Sequence, residues 1–159
     1  MRHFIKKYSK LNKKKVICCE VGIELCEHAN QILDNLDIKQ LHLVDNFTEH
    51  PDFKQRAIDS VKGKPVIFHI GQSIDMAKEV KNETLDFVYI DALHDYDSVM
   101  EDLRAWYPKV KNGGYVAGHD WAIQGVKNAV IDFTNDINKI DLCYENDELG
   151  KNEDWYFRK

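Results

Sequence analysis

Apolar residues along this chain fall into short runs that alternate with segments of helical spacing. "KVICCEVG" (Lys15 to Gly22) is a nearly unbroken apolar run closed by an acid and a glycine, the pattern of a strand buried on both faces. In "CEHANQILDNL", Ala29, Ile32, Leu33 and Leu36 are spaced for one face of a helix. "QLHLVDNF" predicts a second strand ending near Asp45, and "PDFKQRAIDSVKG" a helix opened by Pro51 and closed by Gly63. "PVIFHIG", "SIDMAKEV" and "LDFVYID" predict a strand, a helix with Ser73 as N-cap, and a strand. "YDSVMEDLRAWYPKV" predicts an amphipathic helix with Val99, Leu103 and Trp106 on one side. "NGGYVAGHD" predicts a turn into a fifth strand, and "GVKNAVIDFTNDI" a further helix. "KIDLCYE" and "WYFRK" suit a closing antiparallel pair.

Strands alternating with helices predict a mostly parallel sheet covered on both faces, with ligands bound beyond the carboxyl ends of the strands. The residues at those ends are Glu20 and Gly22, Asp45, Gly71 to Ser73, Asp91, and His119 with Asp120. Each also has a reading without chemistry: a tight turn at Gly22, a cap or solvated acid at Asp45, and a cap at Ser73. His94 would equally serve as a helix cap or pack under Tyr96. Because strand side chains alternate, one of His119 and Asp120 is expected to point into the pocket and the other away. Trp106 is expected in the core, Trp121 at the pocket rim, and His69 as a buried hydrogen-bonded residue.

Composition narrows the class. The 159 residues suit a single domain, with 43% apolar and 31% charged residues and a net charge of −5, which offers no basic footprint for nucleic acid. Arg2, Lys6, Lys7, Lys10, Lys13, Lys14 and Lys15 are opposed by no nearby carboxylate. Residues 1–14 therefore read as a solvated, frayed basic leader, and residues 15–159 as the domain. No signal-peptide core or membrane-length apolar run is present, so the expectation is a soluble cytoplasmic protein with no membrane partner. Cys18, Cys19, Cys26 and Cys143 have no paired C-x-x-C spacing and read as reduced thiols, the first two as small buried hydrophobes.

At the strand ends, Gly22 lets a ligand approach the backbone at a helix N-terminus. Glu24 and Cys26 stand where a G-x-G-x-x-G cradle would place further glycines, so a nicotinamide-dependent dehydrogenase is disfavoured. Asp45, roughly twenty-five residues after Glu20, suits hydrogen bonds to ribose hydroxyls. The Gln72 amide suits an adenine edge.

Together "CEVGIELCEHANQIL", "LHLVDNF", "IGQS" and "LDFVYIDALHDYDSVMEDLRAWYPKVKNGGYVAGHDW" resemble successive motifs of the class I S-adenosylmethionine-dependent methyltransferases. The nearest likeness is to a small branch with D-x-x-H-x-Y after the fourth strand. The resemblance runs from about Lys15 to Trp121. It implies a Rossmann-like α/β fold, a mostly parallel seven-stranded sheet with one antiparallel strand and helices on both faces. It places Glu20 and Gly22 at the methionine end of the cofactor, Asp45 on the ribose, Gln72 and Ser73 beside adenine, and Asp91 in contact with the cofactor. The family often has a glycine where Cys26 stands, and a side chain there would crowd the methionine moiety.

Methyl transfer to an oxygen needs alignment with the methyl carbon and a base for the acceptor's proton. His94, His119 and Asp91 are the candidate catalytic residues. A related metal-dependent O-methyltransferase group resembles this layout, which makes Asp91 and Asp120 candidate ligands for a divalent ion such as magnesium. The expected activity is O-methylation of a small-molecule or sugar-like acceptor by S-adenosylmethionine, with a histidine base or a divalent metal assisting. With so few residues before the first strand to form a lid, a homo-oligomer closing the site is one expectation. The alternative is an inactive S-adenosylmethionine-binding or regulatory protein of the same fold.

Overall fold

The computed structural model describes residues 1–12, 14–138, 141–145 and 154–159. Helix α1 (His3–Leu11) precedes β1 (Val16–Val21), and the chain alternates through α2 (Glu27–Asn35), β2 (Ile38–Asp45), α3 (Phe53–Ser60), β3 (Val66–Ile70), α4 (Ser73–Met76) and β4 (Leu85–Ile90). Then come α5 (Tyr96–Trp106), β5 (Val110–Gly118), α6 (Gln124–Asp136), β6 (Cys143–Glu145) and β7 (Asp154–Arg158). The strands form one sheet in the order β3-β2-β1-β4-β5-β7-β6. Strands β1 to β5 are mutually parallel, and β7 lies antiparallel between β5 and β6. The sheet is the expected seven-stranded one with a single reversed strand. The chain leaves β1 toward β2 and β3 on one side, then crosses to β4 on the other, which opens a crevice at the carboxyl ends of β1 and β4.

The apolar runs became central strands because both faces of the sheet are covered. In β1, Cys18 packs into a cluster with residues of α1, α2 and α3, and Cys19 into the opposite cluster with residues of α5 and α6. Phe87 and Tyr89 of β4 face the first side, Val88 and Ile90 the second, as period-two alternation requires. Trp106 is fully buried, as expected. His69 is buried too, with its Nε2 2.8 Å from His42 Nδ1 and its Nδ1 2.8 Å from Glu79 Oε2.

The frayed leader is corrected. Residues 3–11 form α1, whose Phe4, Ile5 and Tyr8 make an i, i+1, i+4 stripe buried against Phe87, Tyr89, Tyr115 and Tyr156. Burying Phe4 and Ile5 contributes about 1.5–3 kcal/mol each, which outweighs the fraying tendency of a short helix rich in lysine. Lys6, Lys7 and Lys10 lie on the outer face. Two smaller differences concern boundaries. Helix α4 is a single turn that tightens into a 3-10 turn at Ala77–Glu79, and β5 already begins at Val110, so Gly113 (φ +80°) sits within the strand. Residues 139–140 of "KIDLCYE" lie outside the described residues. Among the described residues, no helix is long and apolar enough to cross a membrane.

Candidate active site

The crevice is a cavity of about 500 Å³, within the range of small-molecule sites. Its floor is the loop between β1 and α2. Gly22 adopts φ +82°, and a Cβ there would lie 2.1 Å from the carbonyl oxygen of Asp91, so no other residue allows β1 and β4 to close at this point. Asp45 organises the same loop: its Oδ2 accepts the backbone N–H of Ile23 (2.9 Å) and Glu24 (3.1 Å), and its Oδ1 that of Phe47 (2.7 Å). Gly22, Asp45, Gln72, Ser73 and Asp91 all line the cavity. Seven carboxylates line it and no lysine or arginine does, among the described residues. That wall suits a ligand with positive charge and hydroxyl donors, such as a sulfonium nucleoside, and repels a dinucleotide pyrophosphate. The geometry therefore fits S-adenosylmethionine.

Beside this cavity, the ends of β4 and β5 bring four titratable side chains together. His94 Nε2 is 2.9 Å from Asp120 Oδ2, and His119 Nδ1 is 3.1 Å from the same oxygen and 3.8 Å from Asp91 Oδ1. The expected in-and-out split of His119 and Asp120 is corrected. Strand β5 ends at Gly118, and Asp120 adopts a left-handed backbone (φ +60°), which an aspartate tolerates and which turns both side chains to one side. Trp155 fixes this corner by donating its indole N–H to the His119 carbonyl at 2.9 Å. Burial works against the His119 cation, but the hydrogen bond to Asp120 and the charges of Asp120 and Asp91 outweigh it together with Arg2, and its pKa lies above the ordinary value. The hydrogen bond from His119, opposed by burial and aided by His119, His94 and Arg2, holds the Asp120 carboxyl below its usual range. Ligand atoms of Asp91, His94 and Asp120 lie within 4.8 Å of one another, a set of two carboxylates and one imidazole that fits a divalent cation.

Other expected residues sit elsewhere. Glu20 does not line the cavity. It is buried beneath the loop with Oε1 2.9 Å from His28 Nδ1, and neither its Oε2 nor His28 Nε2 has a partner among the described residues. Cys26 does not crowd the cavity either, because its left-handed position at the start of α2 (φ +62°) turns the thiol into the apolar cluster with Ala29 and Ile32. Burial pushes that thiol up to about 12, so it is inert at neutral pH. Trp121 is buried and stacked on Tyr144 (centroids 5.0 Å apart) rather than placed at the rim. Ser73 lines the cavity, but its hydroxyl accepts the Trp106 indole N–H at 2.8 Å and donates to Asp102.

Two residues that were not among the expected site residues reach the cavity or its lining. Asp102 of α5 is buried on the cavity wall, and Arg2 reaches Asp91, with Nη1 2.6 Å from Oδ2. Asp102 sits on the helical stripe one residue before Leu103, a place where an acid reads as solvated. Nothing in linear spacing joins Arg2 to Asp91.

Residues 19–121, more than half of the chain, match the family model described as methyltransferase domain. The chain belongs to the methyltransferase domain family. It is an S-adenosylmethionine-dependent methyltransferase of class I. Similar folds include a Streptococcus mutans protein in complex with SAH (TM-score 0.73, 10% identity, 98% of this chain and 95% of that one). The O-methyltransferase NovP (0.72, 18%, 98% and 78%) and the N-methyltransferase NodS from Bradyrhizobium japonicum WM9 (0.70, 12%, 98% and 92%) are also similar. Across such structures the chain spans from 61% to 95% of the other chain's length. At these identities the likeness is one of fold. No curated protein matches the sequence significantly.

Proposed function

We propose that this methyltransferase acts on an oxygen of a small-molecule or sugar-like acceptor, with His94 as the base. The observation that carries this reading is the His94–Asp120 contact of 2.9 Å, close to Asp91, which lines the cavity. With the His94 Nε2–H directed at Asp120, its Nδ1 lone pair is left to take the acceptor's proton, the base-and-orienter logic of general-base sites. His94 is exposed, so the acceptor reaches it from solvent, whereas His119 is largely enclosed and holds Asp120 in place. Gly22 and Asp91 form the wall against which the methionine end would lie, and Asp45 is placed for ribose hydroxyls. Bound there, the sulfonium cofactor supplies an electrophilic methyl carbon and a thioether leaving group. The chain's own contribution is alignment, exclusion of water and removal of the proton.

The Asp91, His94 and Asp120 set also supports a divalent ion such as magnesium, which would lower the acceptor hydroxyl's pKa. A single experiment separates the two routes: methyl transfer to a panel of hydroxylated acceptors, measured with and without a chelator, in the native protein and in His94→Gln. A base-only route gives a chelator-insensitive rate that His94→Gln lowers by about 10²–10⁴-fold with cofactor affinity unchanged. Loss of turnover on chelation, restored by magnesium, supports the metal route. Equal rates in the native protein and His94→Gln that chelation leaves unchanged would overturn both.

A further inference from the structure

Arg2 lies outside the family-matched residues, yet it forms a direct ion pair with a cavity-lining carboxylate. Its Nη1 is 2.6 Å from Asp91 Oδ2 and 3.0 Å from the Tyr89 hydroxyl, and its guanidinium lies 5.2 Å from the centre of the Tyr89 ring. The pair is largely enclosed, with 21% of the Arg2 side chain and 17% of the Asp91 side chain exposed. Three contacts hold the start of α1 so that the guanidinium has a defined position. The Arg2 backbone N–H donates to Gln31 Oε1 (3.2 Å), the Phe4 N–H donates to Asp154 Oδ2 (2.8 Å), and the Tyr89 hydroxyl donates to Asp154 Oδ1 (2.6 Å). Phe4 and Ile5 anchor the helix behind it in the core.

Such a guanidinium does two things to Asp91. It occupies Oδ2 and leaves Oδ1 on the side of His119, 3.8 Å from its Nδ1. It also supplies positive charge where Asp91 and Asp120 would otherwise face each other across a cavity walled by carboxylates. We propose that Arg2 is a positioning residue of the active site, acting through Asp91, and that α1 is the arm that delivers it. The inference rests on the cofactor reading of the cavity and extends the working site to a segment the family match does not cover.

The test is a double-mutant cycle on the full chain, read by calorimetric titration with S-adenosylhomocysteine and accompanied by thermal unfolding. Arg2→Met is expected to weaken binding on the order of tenfold, as loss of a charge-assisted pair does. Arg2→Lys, which keeps the charge and loses the planar fork, is expected to recover part of that loss and also serves if Arg2→Met unfolds. In an Asp91→Asn background, Arg2→Met should change affinity by less than about twofold, because the group it acts through is gone. A fully additive cycle, or unchanged affinity in Arg2→Met, overturns the inference and leaves Arg2 a structural tie for α1. Failure of the native protein to bind S-adenosylhomocysteine overturns the cofactor reading, and this inference with it.

Discussion

Asp102→Asn tests whether the cavity wall carries a charge that the fold disfavours. Asp102 is only 5% exposed, and burial, aided by Glu101 and opposed by the Ser73 hydroxyl, raises its carboxyl from the usual 3.8 to about 6. Between those pH values the folded protein keeps a proton that the unfolded chain has released. Its stabilising effect is complete below pH 3.8 and is lost as pH rises through about 6. At 1.36 kcal/mol for each tenfold change, the ionised side chain costs the folded state about 3 kcal/mol at pH 8. Asparagine keeps an acceptor for Ser73 and removes the charge. In urea denaturation of the ligand-free protein from pH 4 to pH 8, the stability of Asp102→Asn relative to the native protein should rise with pH, by about 2.4 kcal/mol over that range. Because the comparison is a difference, other titrating groups cancel. A difference that stays constant across this range would refute the reasoning and show that water reaches the carboxylate freely.

Further outcomes follow from other contacts. Gly22→Ala places a methyl 2.1 Å from the Asp91 carbonyl in a left-handed backbone, and should cost more than about 3 kcal/mol; a melting temperature within a few degrees of native would contradict the packing. His42 has its pKa lowered from 6.5 to about 4, by burial and then by His69. The unfolded chain therefore takes up a proton below pH 6.5 that the folded state refuses, and stability should fall as pH drops toward 4. His42→Gln should flatten that acid limb, and an unaltered limb in equilibrium unfolding would assign it to other groups.

The order of strands and helices was legible because each apolar run in this chain has one period and clear punctuation. Gly22, Asp45, Gln72, Ser73 and Asp91 line one cavity because an open α/β sheet collects its strand ends, so topology alone placed them. Glu20 escaped the same logic. It is the penultimate residue of β1, and its side chain points below the loop toward His28. Asp120 was misread because its positive φ breaks the alternation from which side-chain direction is inferred, whereas the Cys26 expectation rested on a family glycine and did not foresee the left-handed backbone that turns the thiol away. In α1 the charge of the lysines masked an apolar stripe of three residues. Arg2 could not be found at all, since its partner lies 89 positions along the chain.

The hydrogen bond between the Phe4 N–H and Asp154 joins residues 150 positions apart, and β7, which carries Asp154, is inserted between β5 and β6. A chain emerging from the ribosome therefore has its Gly22 loop and Asp91 long before it has the partner that secures the start of α1. Until β7 is in place, the sheet presents β5 as an open edge, and Tyr89 lacks the acceptor for its hydroxyl. Docking of α1 beside Asp91 is thus expected late in folding, governed by a long-range pairing of the kind that slows it.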